Sequence, residues 1–277
     1  MLEFIGLDSL ILAALREDIG TGDITTLSCV PEDERSKARF VAKQDGIICG
    51  SFVPELVYRL LGGDVTVTIC VHDGEKVKKG DVIATLEGNS RQMLTGERVA
   101  LNFFQHMSGV ATQTYGAVVQ ISGTGAKIID TRKTTPGLRE LEKYAVRTGG
   151  GSNHRFGLSD GVLIKDNHIK AAGSITAAVK SARALAPHTL KIEVETETME
   201  QVAEAISAGA DIIMLDNMSL AQMTEAVTFI AGRALTEASG NMGERDLNEV
   251  AKTGVDFISI GALTHTVQAL DISLKFE

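Results

Sequence analysis

Two clusters, Asp130-Thr131-Arg132-Lys133-Thr134 and Asn153-His154-Arg155, precede the run Lys165-Asp166-Asn167-His168 in an otherwise acidic chain. Arginines, lysines and histidines gathered beside Gly149-Gly150-Gly151 call for a ligand with several negative charges, since anions must offset their mutual repulsion. Further along, Glu193 and Glu195, Asp216 and Asn217, Glu237 and Ser239, and Ser259 and Gly261 each close an apolar run. Glu195 with Asp216-Asn217 supplies hard oxygen ligands that suit magnesium, a cation that also binds phosphates. Ser239-Gly240-Asn241 and Ser259-Ile260-Gly261-Ala262 offer small residues and backbone N–H groups of the kind that receive a phosphate monoester. Each feature also has a plainer reading: the carboxylates as an ion-pair network, the tripeptides as ordinary turns, and His154 and His168 as hydrogen-bonding structural residues.

The elements that must position these groups follow a rhythm of apolar strand, polar rim and helix. Six units are expected, with strands over 126–131, 161–166, 190–196, 211–217, 234–240 and 256–262, and helices over 175–185, 199–208 and 220–230. This alternation predicts parallel strands joined by right-handed crossovers, closed into a barrel or, as the alternative, laid out as a doubly wound sheet. Side chains alternate along a strand, so Lys191, Glu193 and Glu195 face one way and Ile192 and Val194 the other, toward the helices. Carboxylates on the inner face need partners, and Lys133 and Lys165 are the expected ones.

Ahead of this region, 37–86 reads as a small α+β unit of short strands around a helix near 54–61. Apolar residues at helical spacing predict an opening helix through Leu7, Leu10, Ile11 and Leu15, ended by the glycines after Ile19. A helix over 94–117, opened by Gly96-Glu97-Arg98 and interrupted at Ser108-Gly109, is expected to join the two domains. Arg98 in its first turns opposes the helix dipole, which a ligand or partner anion would offset; a solvated surface arginine is the other reading. Val71 to Val82 has the look of a biotinyl or lipoyl carrier hairpin, but the following turn, Glu87-Gly88-Asn89-Ser90, lacks the modifiable lysine.

At 277 residues, 44% of them hydrophobic, the chain can bury a sizeable core, and a net charge of -9 speaks against nonspecific nucleic-acid binding. Cys29, Cys49 and Cys70 form no C-x-x-C pair and suggest neither a disulfide framework nor a zinc cluster, as expected of thiols in a reducing compartment. Met1 to Leu15 lacks the basic, uninterrupted apolar character of a secretory leader, and no run of 18 apolar residues predicts a membrane span.

Four long stretches in order resemble one family, the quinolinate phosphoribosyltransferases, also called nicotinate-nucleotide pyrophosphorylases (carboxylating). They are Thr95-Gly96-Glu97-Arg98-Val99-Ala100-Leu101-Asn102, Asp130 to Thr134, Gly149 to Arg155, and Leu163 to His168. The likeness runs from Glu17 to Ser259, departing at Asn89-Ser90-Arg91-Gln92, where family members commonly have Pro-Ala-Arg-Ala. The resemblance implies an N-terminal α/β sandwich domain (1–112, joined by 263–277) on a six-stranded parallel α/β barrel catalytic domain (113–262). It also implies conversion of quinolinate and phosphoribosyl pyrophosphate (PRPP) to nicotinate mononucleotide, pyrophosphate and carbon dioxide, with Mg2+, in NAD biosynthesis. By the same resemblance Arg98, Thr131, Arg132, Lys133, His154, Arg155 and Lys165 line the substrate end. Glu195 and Asp216 hold the ribose and the metal, and Ser239, Gly240, Asn241, Ser259 and Gly261 take the 5′-phosphate. Lys133, Glu195 and Asp216 are the implied catalytic groups, in a cytoplasmic homodimer or an assembly of such dimers. A paralogous group associated with molybdate transport shares the Thr-Arg-Lys-Thr and His-Arg motifs, and Lys165-Asp166-Asn167-His168 favours the quinolinate enzyme over it.

Overall fold

The computed structural model describes residues 4–277, so the first three residues of the predicted opening segment lie outside the described residues. The chain divides into two compact units: one takes in the chain to Tyr115, Pro136–Gly149 and Val267–Glu277, the other Gly116–Thr135 and Gly150–Thr266.

The first unit holds a four-stranded antiparallel sheet in the order Ile272–Phe276, Arg35–Ala42, Val82–Asn89, Val65–Ile69. Period-two patterning explains its central strand, in which Ala38, Phe40 and Ala42 are buried while Arg35, Lys37 and Arg39 face water. The opening helix, Leu7–Ile19, buries Leu7, Ile11 and Leu15 and stops at Gly20, whose φ of 54 favours glycine. The carrier-like hairpin does not form: Lys76–Val77 pairs instead with Gly46–Ile47.

Ser90–Gln120 is a single 31-residue helix, and two expectations about it are corrected. It begins upstream of Gly96, so Arg98 lies in the third turn, beyond the reach of the dipole argument. Nor does Ser108-Gly109 interrupt it. The Ser108 hydroxyl bonds the backbone N–H and carbonyl of Cys49, and a Cβ on Gly109 would stand 2.2 Å from the Gln268 carbonyl oxygen. The glycine is there because another strand of backbone passes against the helix.

The second unit contains six parallel strands: β1 Lys127–Ile129, β2 Val162–Ile164, β3 Ile192–Thr196, β4 Ile212–Asp216, β5 Leu235–Ser239 and β6 Phe257–Ser259. Their spatial order is β1-β6-β5-β4-β3-β2. Chain order is thus kept around the sheet, with the last strand paired to the first. This is the connectivity of a six-stranded α/β barrel. β1 also makes one parallel bridge, Ile129 to Ser152, in the segment that precedes β2. The helices Ile175–Leu185, Met199–Ala208 and Leu220–Ile230 cover the predicted ranges. Their starts are fixed by Ser174, Thr198 and Ser219, whose side chains each accept an N–H of the first turn.

Candidate active site

Register decides which side chains meet. Glu193 pairs with Ile212, Glu195 with Met214, Glu237 with Met214, and Ser239 with Asp216. Partners in a ladder point to the same face, so Glu193, Glu195, Asp216, Glu237 and Ser239 share one. The intervening Ile192, Val194, Ile213, Leu215 and Ala238 are buried on the other, as the alternation predicts.

The basic rim is stapled to β1 by one carboxylate. Asp130, fully buried, accepts the Asn153 side-chain amide at 2.6 Å and the His154 backbone N–H at 2.8 Å. Ser152 adds a backbone bond to the Ile128 carbonyl at 2.8 Å. Asn153-His154-Arg155 is thereby held against the segment that carries Arg132 and Lys133. The Lys133 backbone is fixed at both ends, its N–H donating to the Thr131 hydroxyl at 3.0 Å and its carbonyl accepting from Thr264 at 2.8 Å. Arg155 donates from Nη1 to the Gly161 carbonyl at 2.9 Å, while its buried Nε has no protein partner. Burial first, and the neighbouring charge of Arg132 second, pull its pKa below the usual guanidinium value. A desolvated cation with a free donor beside a second cation is a receptor for a carboxylate or phosphate.

Of the two lysines expected to neutralise the lumen, Lys165 does so, its Nζ lying 3.2 Å from Glu195 Oε2. Lys133 does not pair with Glu193; its Cδ lies 3.2 Å from where a Cβ on Gly261 would stand. Glu193 is met by His154, whose Nε2 is 3.1 Å from Glu193 Oε2 and 3.7 Å from Glu237 Oε2. Burial, then the Glu193 carboxylate, raise the Glu237 pKa well above the ordinary range. One oxygen of each carboxylate, Oε1, is buried and unpartnered.

Asp216 accepts the Asn217 side-chain amide at 2.7 Å. Asn217 adopts φ 55, and its backbone N–H reaches the Ser239 carbonyl at 3.0 Å. Here Gly240 is required twice over: its φ is 96, and a Cβ would stand 2.2 Å from Asn217 Oδ1. Asn241 follows with φ 51, so the chain turns sharply at the end of β5. Ser259 is buried, its hydroxyl turned to the Ala238 carbonyl at 3.4 Å.

Arg98 and His168 are placed by other elements. Arg98 is exposed and belongs to the first unit. His168 serves its own helix, its Nδ1 accepting the Lys165 N–H at 2.9 Å. Conversely, Asp130, Glu193 and Glu237, which the sequence marks only as polar strand ends, organise the site from beneath. Their signal is the inward parity of charged residues in otherwise apolar strands.

Residues 23–108 match the family model of the quinolinate phosphoribosyl transferase N-terminal domain, and residues 110–275 that of its C-terminal domain. The probable nicotinate-nucleotide pyrophosphorylase [carboxylating] of Bacillus subtilis (strain 168) is 50% identical over 258 residues, covering 93% of this chain and 89% of that protein. A mitochondrial quinolinate phosphoribosyltransferase [decarboxylating] of Nicotiana tabacum is 44% identical over 283 residues, covering 95% and 80%. Among solved structures, the nicotinate-nucleotide pyrophosphorylase from Francisella tularensis superposes with a TM-score of 0.93 at 43% identity, covering 98% of this chain and 95% of that one. With both domain models matched in order and identity sustained across nearly its whole length, the chain belongs to the quinolinate phosphoribosyl transferase family.

Proposed function

We propose that this protein transfers the phosphoribosyl group of PRPP to quinolinate with decarboxylation, giving nicotinate mononucleotide, pyrophosphate and carbon dioxide for NAD biosynthesis. The observation that carries the reading is the rim of Arg132, Lys133, Arg155 and Lys165 on the barrel's strand ends, with the buried Nε of Arg155 unpartnered, in a chain of this family. Quinolinate carries two carboxylates and PRPP several further negative charges, which these cations match.

The reaction asks little covalent chemistry of the protein. As the ribose C1–O bond breaks, its electrons leave with pyrophosphate and positive charge develops on the sugar. Glu195 and Asp216, on adjacent strands and one face, stabilise that charge. The ring nitrogen bonds to C1 and becomes cationic. It then accepts the electrons freed when the neighbouring carboxylate departs as carbon dioxide, and a proton replaces that carboxylate. Lys133 belongs at the pyrophosphate side and Arg132, His154, Arg155 and Lys165 at quinolinate. Thr131 supports Lys133. The turns at Ser239-Gly240-Asn241 and Ser259 to Gly261 receive the 5′-phosphate.

Magnesium fits the donor set, since Glu195 and Asp216 offer only oxygen ligands and both remain partly accessible. When bound with PRPP it would neutralise the diphosphate as a leaving group. The three cysteines are free and suit a reducing cytoplasm. Among the described residues no helix is long and apolar enough to cross a membrane. The working unit is a homodimer, alone or within a larger assembly, in which Arg98 serves the partner's site.

Product analysis tests the activity. Nicotinate mononucleotide should form from quinolinate only when PRPP and Mg2+ are both present, and its absence from that mixture would overturn the reading.

A further inference from the structure

His154, Glu193 and Glu237 bring one nitrogen and two carboxylates within 4.8 Å of one another, a cluster with the composition of a metal site. The other side of the imidazole argues against that use. His154 Nδ1 accepts the backbone N–H of Arg155 at 2.6 Å. A peptide nitrogen is always the donor in such a bond, so Nδ1 carries no proton. A histidine that ligates a metal through Nε2 ordinarily donates its Nδ1–H to a neighbour, the reverse of what is found here. With Nδ1 an acceptor, the ring proton resides on Nε2 and points at Glu193 Oε2, 3.1 Å away. Both ring nitrogens are thus engaged by the protein.

We infer that Glu193, backed by Glu237, is a positioning residue that acts through His154 on Arg155: the carboxylate holds the imidazole as its Nε2–H tautomer, and the freed Nδ1 seats the Arg155 backbone. The inference rests on the proposed use of Arg155 for quinolinate. It gives His154 its task among the quinolinate-binding groups, that of seating Arg155. The surroundings support it. Glu193 is 4% exposed and Glu237 2%, so the acceptor of the Nε2–H is shielded from competing water. Asp130 fixes the backbone of His154 and Gly161 fixes Arg155 Nη1, which leaves the peptide between the two residues as the joint that the ring controls.

Two measurements test this. Nitrogen-15 spectroscopy of the imidazoles, with His154→Gln to assign the signal, should show a protonated Nε2 and an unprotonated Nδ1; an imidazolium or an Nδ1–H tautomer overturns the inference. Kinetically, Glu193→Ala should raise the quinolinate KM by at least about fivefold while moving the PRPP KM less than about twofold, the scale of coupling between neighbouring groups. Glu193→Gln, which retains an acceptor for the ring proton, should restore most of that loss. In an Arg155→Ala background, itself costing at least about tenfold in use of quinolinate, adding Glu193→Ala should cost less than about twofold more. Independent, multiplying losses would refute transmission through Arg155. Should the unmutated protein form no nicotinate mononucleotide, the proposed function fails, whereas the tautomer still decides the arrangement inferred here.

Discussion

Glu237 keeps in the folded protein a proton that the unfolded chain releases. Its pKa is raised from an ordinary 4.5, by burial first and by Glu193 second. Over the interval above 4.5 the native state therefore binds more protons than the unfolded state, so this group's contribution to stability falls as pH rises. It is fully present below the unfolded value and is lost through the folded one. Glu237→Gln removes the ionisation while keeping the shape, and thermal unfolding of both proteins across that interval should show the difference shifting in the variant's favour as pH increases. A difference independent of pH would show that Glu237 does not titrate between the two states. Such a residue was only half legible in the sequence. Parity along the strand says that Glu237 points inward, but the groups it meets include Glu193, His154 and Ser259, and no local pattern pairs residues so far apart.

At the scale of elements, legibility followed locality. The three barrel helices were readable to the residue because their caps and apolar spacing lie within a few positions of one another. Ser90–Gln120 was misread at Ser108-Gly109 because the cause of that glycine is the backbone of Gln268, far away in sequence. Two of the three glycines in this helix separate local from distant causes. Gly116→Ala meets nothing within 4 Å and should stabilise the helix by about 0.5–1 kcal/mol. Gly109→Ala adds the same propensity but must displace a carbonyl, for a net loss of about 1–3 kcal/mol. Urea unfolding of the two variants would distinguish them, and a Gly109→Ala protein as stable as its parent would remove the packing explanation. The strands of the barrel show the same limit: each is shorter than its predicted range, as where the Asp130 N–H bonds the Ser152 carbonyl and its carboxylate holds His154.

For the molecule as a whole, the feature with functional weight is that Arg98 belongs to one compact unit and the other proposed ligands to the other. In the proposed homodimer, Arg98→Ala and Lys133→Ala proteins are each nearly inactive, and their mixture after subunit exchange recovers about a quarter of the parental activity. Random assembly makes half the dimers mixed, with one intact site in each. If exchange is verified by mass spectrometry and activity does not return, Arg98 serves its own chain or no site at all. The four motifs in order made the family legible in the sequence, while the division between units rests on pairings of segments far apart in the chain. The strand Ile272–Phe276 lies against Arg35–Ala42 at the edge of the first sheet. During synthesis, then, the sheet begun by Arg35–Ala42 waits for a strand translated after all six barrel strands, so the unit that is started first is completed after the barrel.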